Sequence, residues 1–260
     1  MALNKAKVST ITSVKGGVGK TTTVLNLAGI YSRMNKKVLV VDLDFYSGDI
    51  TASLNLNYER DIYNLFEDLN GHKFNNLEDY TVSYNENIDV LSAPKDPRFA
   101  RKITSKVLDL ILYKASHKYD LILIDTNHIL TDINLFAFDY SDKITYIINN
   151  DSMNLKNMKS MVSILNDMNK KNYRIILNES NYKGKNYYNK YDIKNIINKN
   201  VNYIIPSSFY IKNIDKYIID GDILTLDEKI YKKHKKAMRI YDMIANDLIK
   251  ESSVGKYIKK

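Results

Sequence analysis

The chain has 260 residues, 44% of them hydrophobic, which is enough apolar material for one large α/β core or two small ones. It contains no cysteine, which excludes a disulfide framework or a thiolate metal site and fits a reducing cytosol. The net charge of +9 favours polyanions such as nucleic acid or anionic lipid, but Lys-, Asn-, Ile- and Tyr-rich usage with no tryptophan is also what AT-rich codons produce.

Residues 1–7 are too short and polar for a signal peptide, and no apolar run approaches the roughly 20 residues of a membrane-spanning helix. Residues 7–14 form the first predicted strand. A glycine-rich turn follows, Lys15-Gly16-Gly17-Val18-Gly19-Lys20-Thr21-Thr22, and a helix is predicted over 22–34. Strand, glycine turn and helix start are the context in which such a motif cradles phosphate. The glycines let backbone N–H groups approach phosphate oxygens, and the helix N-terminus adds its positive end. Lys20 is placed to reach the β- and γ-phosphates, and the Thr21 hydroxyl to ligate Mg²⁺.

The second strand, residues 38–42, runs into Asp42-Leu43-Asp44. Ligands of parallel sheets lie beyond the carboxyl ends of strands, which puts Asp42 near Mg²⁺ or its waters and Asp44 in a loop facing the γ-phosphate. A third strand is predicted at 88–93 and a helix at 99–117, with Ile103, Val107, Ile111 and Leu112 at helical spacing. Residues 121–125 repeat the pattern of an apolar strand ending in aspartate, and Asp125 is expected to hold Mg²⁺ through water. Asn127 and His128 come next. His128 is either a nucleotide sensor or an ordinary loop residue.

Further strands are predicted at 144–148, 174–178 and 201–205, and helices at 154–170 and 227–250. The stripe Met158, Met161 and Met168 suits core or dimer packing. Residues 181–190 are polar and tyrosine-rich and read as a surface loop. On the last helix Ala237, Tyr241, Ile244, Ala245 and Leu248 make an apolar face, with Lys232, Lys235, Lys236 and Arg239 opposite. That basic stripe is a solvated face or a site for DNA phosphates or anionic lipid. Alternating strands and helices predict an α/β fold: a single P-loop NTPase domain over 1–260, with a mostly parallel twisted sheet covered by helices on both faces.

The plain P-loop template has glycine where Val14 stands; here a second lysine, Lys15, precedes the glycine pair. This arrangement resembles the deviant Walker A motif of the ParA/MinD ATPases. The resemblance covers nearly the whole chain and implies ATP and Mg²⁺ as cofactors. It also implies an ATP-dependent homodimer in which Lys15 reaches the other subunit's nucleotide. By the same resemblance Asp44 orients the attacking water, Asp125 closes a Walker B strand, Asn178 hydrogen-bonds adenine, and Pro206 lies near the base. The family usually has a proline where Asn127-His128 stands.

Residues 42–66 and the run Ala93-Pro94-Lys95-Asp96-Pro97 resemble the CpaE/TadZ branch, which positions pilus and secretion machinery and usually carries an N-terminal receiver-like domain. Three alternatives stay open. A ParA-type partition ATPase would bind DNA nonspecifically. A MinD-like protein would reach the membrane, although residues 254–260 match a targeting tail poorly. A tyrosine autokinase would need a terminal tyrosine cluster, whereas Tyr182, Tyr187, Tyr188 and Tyr191 are internal and only Tyr257 is near the end. The positioning and partition readings imply a cytoplasmic ATPase, recruited in some cases to a pole, the nucleoid or a membrane surface. Slow hydrolysis triggered by a protein partner is expected of such a switch.

Overall fold

The computed structural model describes residues 5–181 and 187–250. The elements follow in chain order as β1 (Lys7–Ser13), α1 (Lys20–Arg33), β2 (Val38–Leu43), α2 (Asp49–Ser53), α3 (Ile62–Asn70), β3 (Thr81–Asn85), β4 (Ile88–Leu91), α4 (Ser105–Ala115), β5 (Leu121–Thr126) and α5 (Asp132–Tyr140). The second half continues as β6 (Lys143–Ile148), α6 (Ser152–Asp167), β7 (Tyr173–Asn178), α7 (Lys190–Ile197), β8 (Tyr203–Ile205), α8 (Ile214–Asp220), α9 (Glu228–Lys233) and α10 (Lys235–Ile249).

Eight strands make one sheet in the order β3-β4-β2-β5-β1-β6-β7-β8. Every pairing is parallel except β3 with β4. The predicted α/β class with a mostly parallel sheet is therefore the observed one. Strand side chains alternate between faces. Val38 and Val40 join the core under α1 and α10, whereas Leu39 and Val41 join the core under α3 and α4. Both faces being covered explains why β2, β5 and β6 are buried at every position.

Helix α1 is buried almost all round because the sheet lies on one side and the C-terminal segment on the other. Its Tyr31 hydroxyl donates to the Ala245 carbonyl at 2.9 Å, and Thr225 Oγ1 donates to the Asn26 carbonyl at 2.8 Å. The packing is close enough that a Cβ on Gly29 would stand 2.2 Å from Thr225 Oγ1.

Two predicted helices are each broken. Over 99–117 the chain makes a 3₁₀ turn (Pro97–Lys102) and then α4, because Ile103 and Thr104 are extended and Thr104 begins a new helix. Over 227–250 the break falls at His234, whose Nδ1 meets the Ser208 carbonyl at 2.9 Å and whose ring packs edge-on against Phe209. The methionine stripe divides as well: Met158 is fully buried, Met161 lies at the core's edge, and Met168 is exposed. The short edge strand β3 has no apolar run and is not among the predicted strands.

Connections leave β1 and β5 toward opposite sides of the sheet, through α1 to β2 and through α5 to β6. This is a topological switch point, and a crevice forms outside the carboxyl ends of the strands there.

Candidate functional site

The chain turns sharply after β1. Ser13 Oγ donates to the Lys15 carbonyl at 2.7 Å, and Gly17 and Gly19 take left-handed backbone angles, with φ of 72° and 89°. Only glycine adopts these without strain. Gly19 caps α1 and supplies no side-chain acceptor, so the first N–H groups of the helix keep free hydrogen-bonding capacity for an anion. Lys20 is buried in the first turn of the helix.

Asp42 and Asp125 are cross-strand partners in β2 and β5, each about 1% exposed. Thr21 Oγ1 donates to Asp125 Oδ2 at 2.7 Å. Asp125 Oδ1 is buried with no hydrogen-bond partner. Asp42 Oδ1 accepts from the Asp44 N–H at 3.0 Å and Oδ2 from the Ile50 N–H at 3.3 Å. Burial pushes Asp125 up to about 7, against the pull of the Thr21 hydroxyl and the Lys20 charge. Burial, and then the negative charge of Asp125, holds Asp42 well above the usual carboxylate range.

Two buried carboxylates and a hydroxyl, one carboxylate oxygen lacking any donor, fit a hard divalent cation. Among the described residues no cluster of three or more acidic, histidine or cysteine side chains could hold a metal. A cation here would draw its remaining ligands from water and phosphate, as Mg²⁺ does.

Lys15 is half exposed, with Nζ 3.5 Å from Oδ1 of Asp151, the residue that caps α6. Asp44 opens a turn in which its carbonyl accepts from the N–H groups of Ser47 and Gly48. Val18 is buried, and Thr22 lies at the mouth of the adjacent cleft.

Asn178 sits beneath the glycine loop. Its Nδ2 donates to the Val18 carbonyl and to Asn181 Oδ1, both at 2.9 Å, and its Oδ1 accepts from the N–H and the hydroxyl of Ser180. As placed, both ends of this amide are engaged inside the protein. Asn181, which sequence reasoning passed over, also donates to the Gly17 carbonyl. Pro206 is buried at the end of β8 and begins a 3₁₀ turn (Ser207–Phe209). Beyond it Phe209, Tyr210 and Ile211 face Gly17, Thr22, Ser180 and Asn181 across an open cleft. This wall was invisible in the sequence because the segment has no motif.

The exposed His128 stands beside Gly16. Lys232, Lys235 and Arg239 join Arg33 around a separate surface concavity, and Lys236 is exposed outside it. Glu228 lies within 2.9 Å of Arg33 and 3.7 Å of Lys232, which offsets part of that charge. Tyr187 and Tyr191 are exposed, and Tyr188 shares a 2.9 Å hydrogen bond with Ser152. Tyr182, Tyr257 and residues 254–260 lie outside the described residues. Among the described residues no helix is long and apolar enough to cross a membrane.

A family model described as an AAA domain matches residues 6–179. The chromosome-partitioning ATPase Soj of Thermus thermophilus is 48% identical over 65 residues, covering 24% of this chain and 26% of Soj. The sporulation initiation inhibitor protein Soj of Bacillus subtilis is 31% identical over 150 residues, covering 53% and 56%. The matches thus span at most about half of these relatives. Among solved structures, the septum site-determining protein MinD of Pyrococcus horikoshii, complexed with Mg-ADP, superposes with a TM-score of 0.73 at 21% identity. The superposition covers 94% of this chain and 96% of that one, a likeness of fold. With its glycine loop, carboxylate pair and sheet order, the chain belongs to the AAA-domain family matched over residues 6–179, within the ParA/MinD superfamily.

Proposed function

We propose that the protein is a Mg-ATP-dependent dimerising ATPase whose nucleotide state positions a macromolecular machine. The observation that carries the reading is the pairing of Thr21 with Asp125, whose second oxygen is buried and unpartnered, directly behind a phosphate loop. The half-exposed Lys15 at the loop's mouth completes it. Mg²⁺ bound by Thr21, Asp42 and Asp125 would neutralise charge on the phosphate oxygens. The amides of Gly16, Gly17, Val18 and Gly19, the first turn at Lys20, Thr21 and Thr22, and the Lys20 ammonium would bind the phosphates. Asp44 would orient the attacking water. Each Lys15 would leave Asp151 and reach the phosphates held by the other subunit.

The nucleoside would occupy the cleft bounded by Phe209, Tyr210 and Asn181, next to Pro206. Asn178 would serve the base only after releasing Ser180; as placed it supports the loop instead. Hydrolysis would be slow and stimulated by a protein partner.

The CpaE/TadZ-like role, positioning a pilus or secretion apparatus, is supported by how its two stretches meet. Asp61 Oδ2 accepts from the Lys95 N–H at 2.9 Å, and Lys95 Nζ donates to the carbonyls of Tyr58 and Glu59. Gly48, in the turn after Asp44, also packs on Ala93, whose Cβ would lie 3.7 Å from a Cβ built on the glycine. The concavity around Lys232, Lys235, Arg239 and Arg33 favours the second reading, a partition ATPase holding DNA phosphates. ATP-dependent, salt-sensitive binding to plain duplex DNA separates the two.

Sedimentation velocity tests the dimer. The wild type should sediment as a monomer with Mg-ADP and as a dimer with Mg-ATP, and Lys15→Ala as a monomer in both. A wild-type profile unchanged by ATP would overturn the proposal.

A further inference from the structure

Three observations converge on His128. Strand order runs β2-β5-β1-β6-β7-β8, with the glycine loop following the central β1. The nucleoside cleft opens on the β7–β8 side, lined by Ser180, Asn181, Phe209 and Tyr210. The carboxylates Asp42 and Asp125 end β2 and β5 on the other side. A nucleoside triphosphate seated this way runs from the cleft, across the glycine loop, toward the end of β5. Its terminal phosphate arrives where the chain continues from Asp125 to residue 128.

The imidazole is already there. A Cβ built on Gly16 would lie 3.9 Å from His128 Nδ1 and 4.0 Å from Cε1. Gly16 is the first glycine of the loop and so belongs to its distal, terminal-phosphate end. Among the described residues the His128 side chain has no hydrogen-bond partner. Its backbone, by contrast, is held on both sides. Asn127 Oδ1 accepts from the Ile129 N–H and from Asn134 Nδ2, each at 2.9 Å, and Asn134 Nδ2 also donates to the Ile129 carbonyl at 2.8 Å. Asn127 and Asn134 are buried, whereas His128 is exposed. A pinned backbone carrying an unengaged donor over a phosphate loop is a preorganised anion contact.

We propose that His128 donates a hydrogen bond to the terminal phosphate of the bound nucleotide and is the residue by which this site tells a triphosphate from a diphosphate. The inference rests on the nucleotide reading above. An imidazole always keeps at least one N–H, so a donor is available to the phosphate. A diphosphate ends short of His128, and the side chain then makes no contact with it. The pair Asn127-His128 thus supplies a side-chain donor, which a proline at this place could not.

The test is equilibrium binding of fluorescently labelled ADP and of labelled AMPPNP, with Mg²⁺, at protein concentrations where the chain sediments as a monomer. His128→Ala should weaken AMPPNP binding about tenfold, the usual loss for one hydrogen bond to a charged group, and ADP binding less than about twofold. His128→Gln, which keeps an N–H donor, should recover most of the loss. Intact ADP binding doubles as proof that the variant folds. Equal weakening of both nucleotides, or unchanged AMPPNP binding, overturns the role of His128 and leaves the nucleotide site standing. A wild type that binds neither nucleotide overturns both.

Discussion

Replacing Asp125 by asparagine should make the ligand-free protein more stable at pH 8, not less. The folded state holds this carboxyl at about 7, against an ordinary 3.8, chiefly because the group is buried. A shift of roughly three units, at 1.36 kcal/mol per unit, is worth about 4 kcal/mol. The sign follows from proton binding. Between about pH 4 and pH 7 the folded state holds the proton more tightly than the unfolded state, so stability from this group falls as pH rises through that window and stays lost above it. Asparagine keeps an acceptor for the Thr21 hydroxyl, 2.7 Å away, and removes the buried charge. It also frees Asp42 of its nearest like charge. Lys20 loses a partner in exchange, so the net gain should be about 2 kcal/mol, half the upper figure. Urea unfolding without nucleotide or Mg²⁺, at four pH values from 5 to 8, reads both quantities. The variant should be the more stable at pH 8 and show a flatter pH dependence. With saturating Mg-ATP the order should reverse, because ligand binding stabilises only the chain that binds it. A variant no more stable than wild type at pH 8, or one with the wild-type pH slope, refutes the account of Asp125 as a desolvated charge awaiting a cation.

Asp44→Ala should slow phosphate release on the order of 100-fold while leaving the ATP dimer intact; normal release would remove Asp44 from water positioning. Gly29→Ala sets two effects against each other. Alanine in a helix gains up to about 1 kcal/mol over glycine, but here its methyl would meet Thr225 Oγ1 at 2.2 Å and Ile223 Cγ2 at 2.7 Å. Overpacking of that kind costs about 1–3 kcal/mol, and the bond from Thr225 to the Asn26 carbonyl would be strained as well. Net destabilisation near 2 kcal/mol is expected in thermal or urea unfolding, and wild-type stability would show that α1 can move away from the 223–226 segment.

What was legible in the sequence was what is contiguous. The apolar runs of β2 and β5 end in Asp42 and Asp125, and a strand buried on both faces leaves little else for such a run to be. The glycine loop declared its own geometry, because Gly17 and Gly19 stand where left-handed angles occur. Couplings between distant segments left no trace. His234 breaks the last helix through contacts with Ser208 and Phe209, yet Ile230, Ala237 and Tyr241 keep an apolar face on both sides of the break, so periodicity runs straight through it. The strand β3 is half exposed at a sheet edge, and its sequence Thr-Val-Ser-Tyr-Asn lacks the apolar run that marked the others. The engagement of Asn178 by Ser180 and Asn181, and of Lys15 by Asp151, are facts of folding that no motif encodes.

The buried carboxylates also explain how a charge at the site could change the shape of its rim. Asp42 Oδ1 holds the Asp44 N–H, and its Oδ2 holds the first turn of α2 through Ile50. Asp125 leads in three residues to His128, on a loop tied to α5 by Asn134. A cation that draws on Asp42 therefore competes with the hydrogen bonds that fix one loop, and one that draws on Asp125 acts at the residue from which the other loop leaves. One binding event would then bias both loops through covalent and hydrogen-bonded neighbours, with no long-range pathway required. The loops lie on the surface that also carries Lys15, where the second subunit is proposed to dock. Had the carboxylates been exposed, solvent would have screened the same charge change and the loops would have had less reason to respond. Burial of the pair, which weakens the empty protein, is on this view what makes its surface sensitive to the occupant.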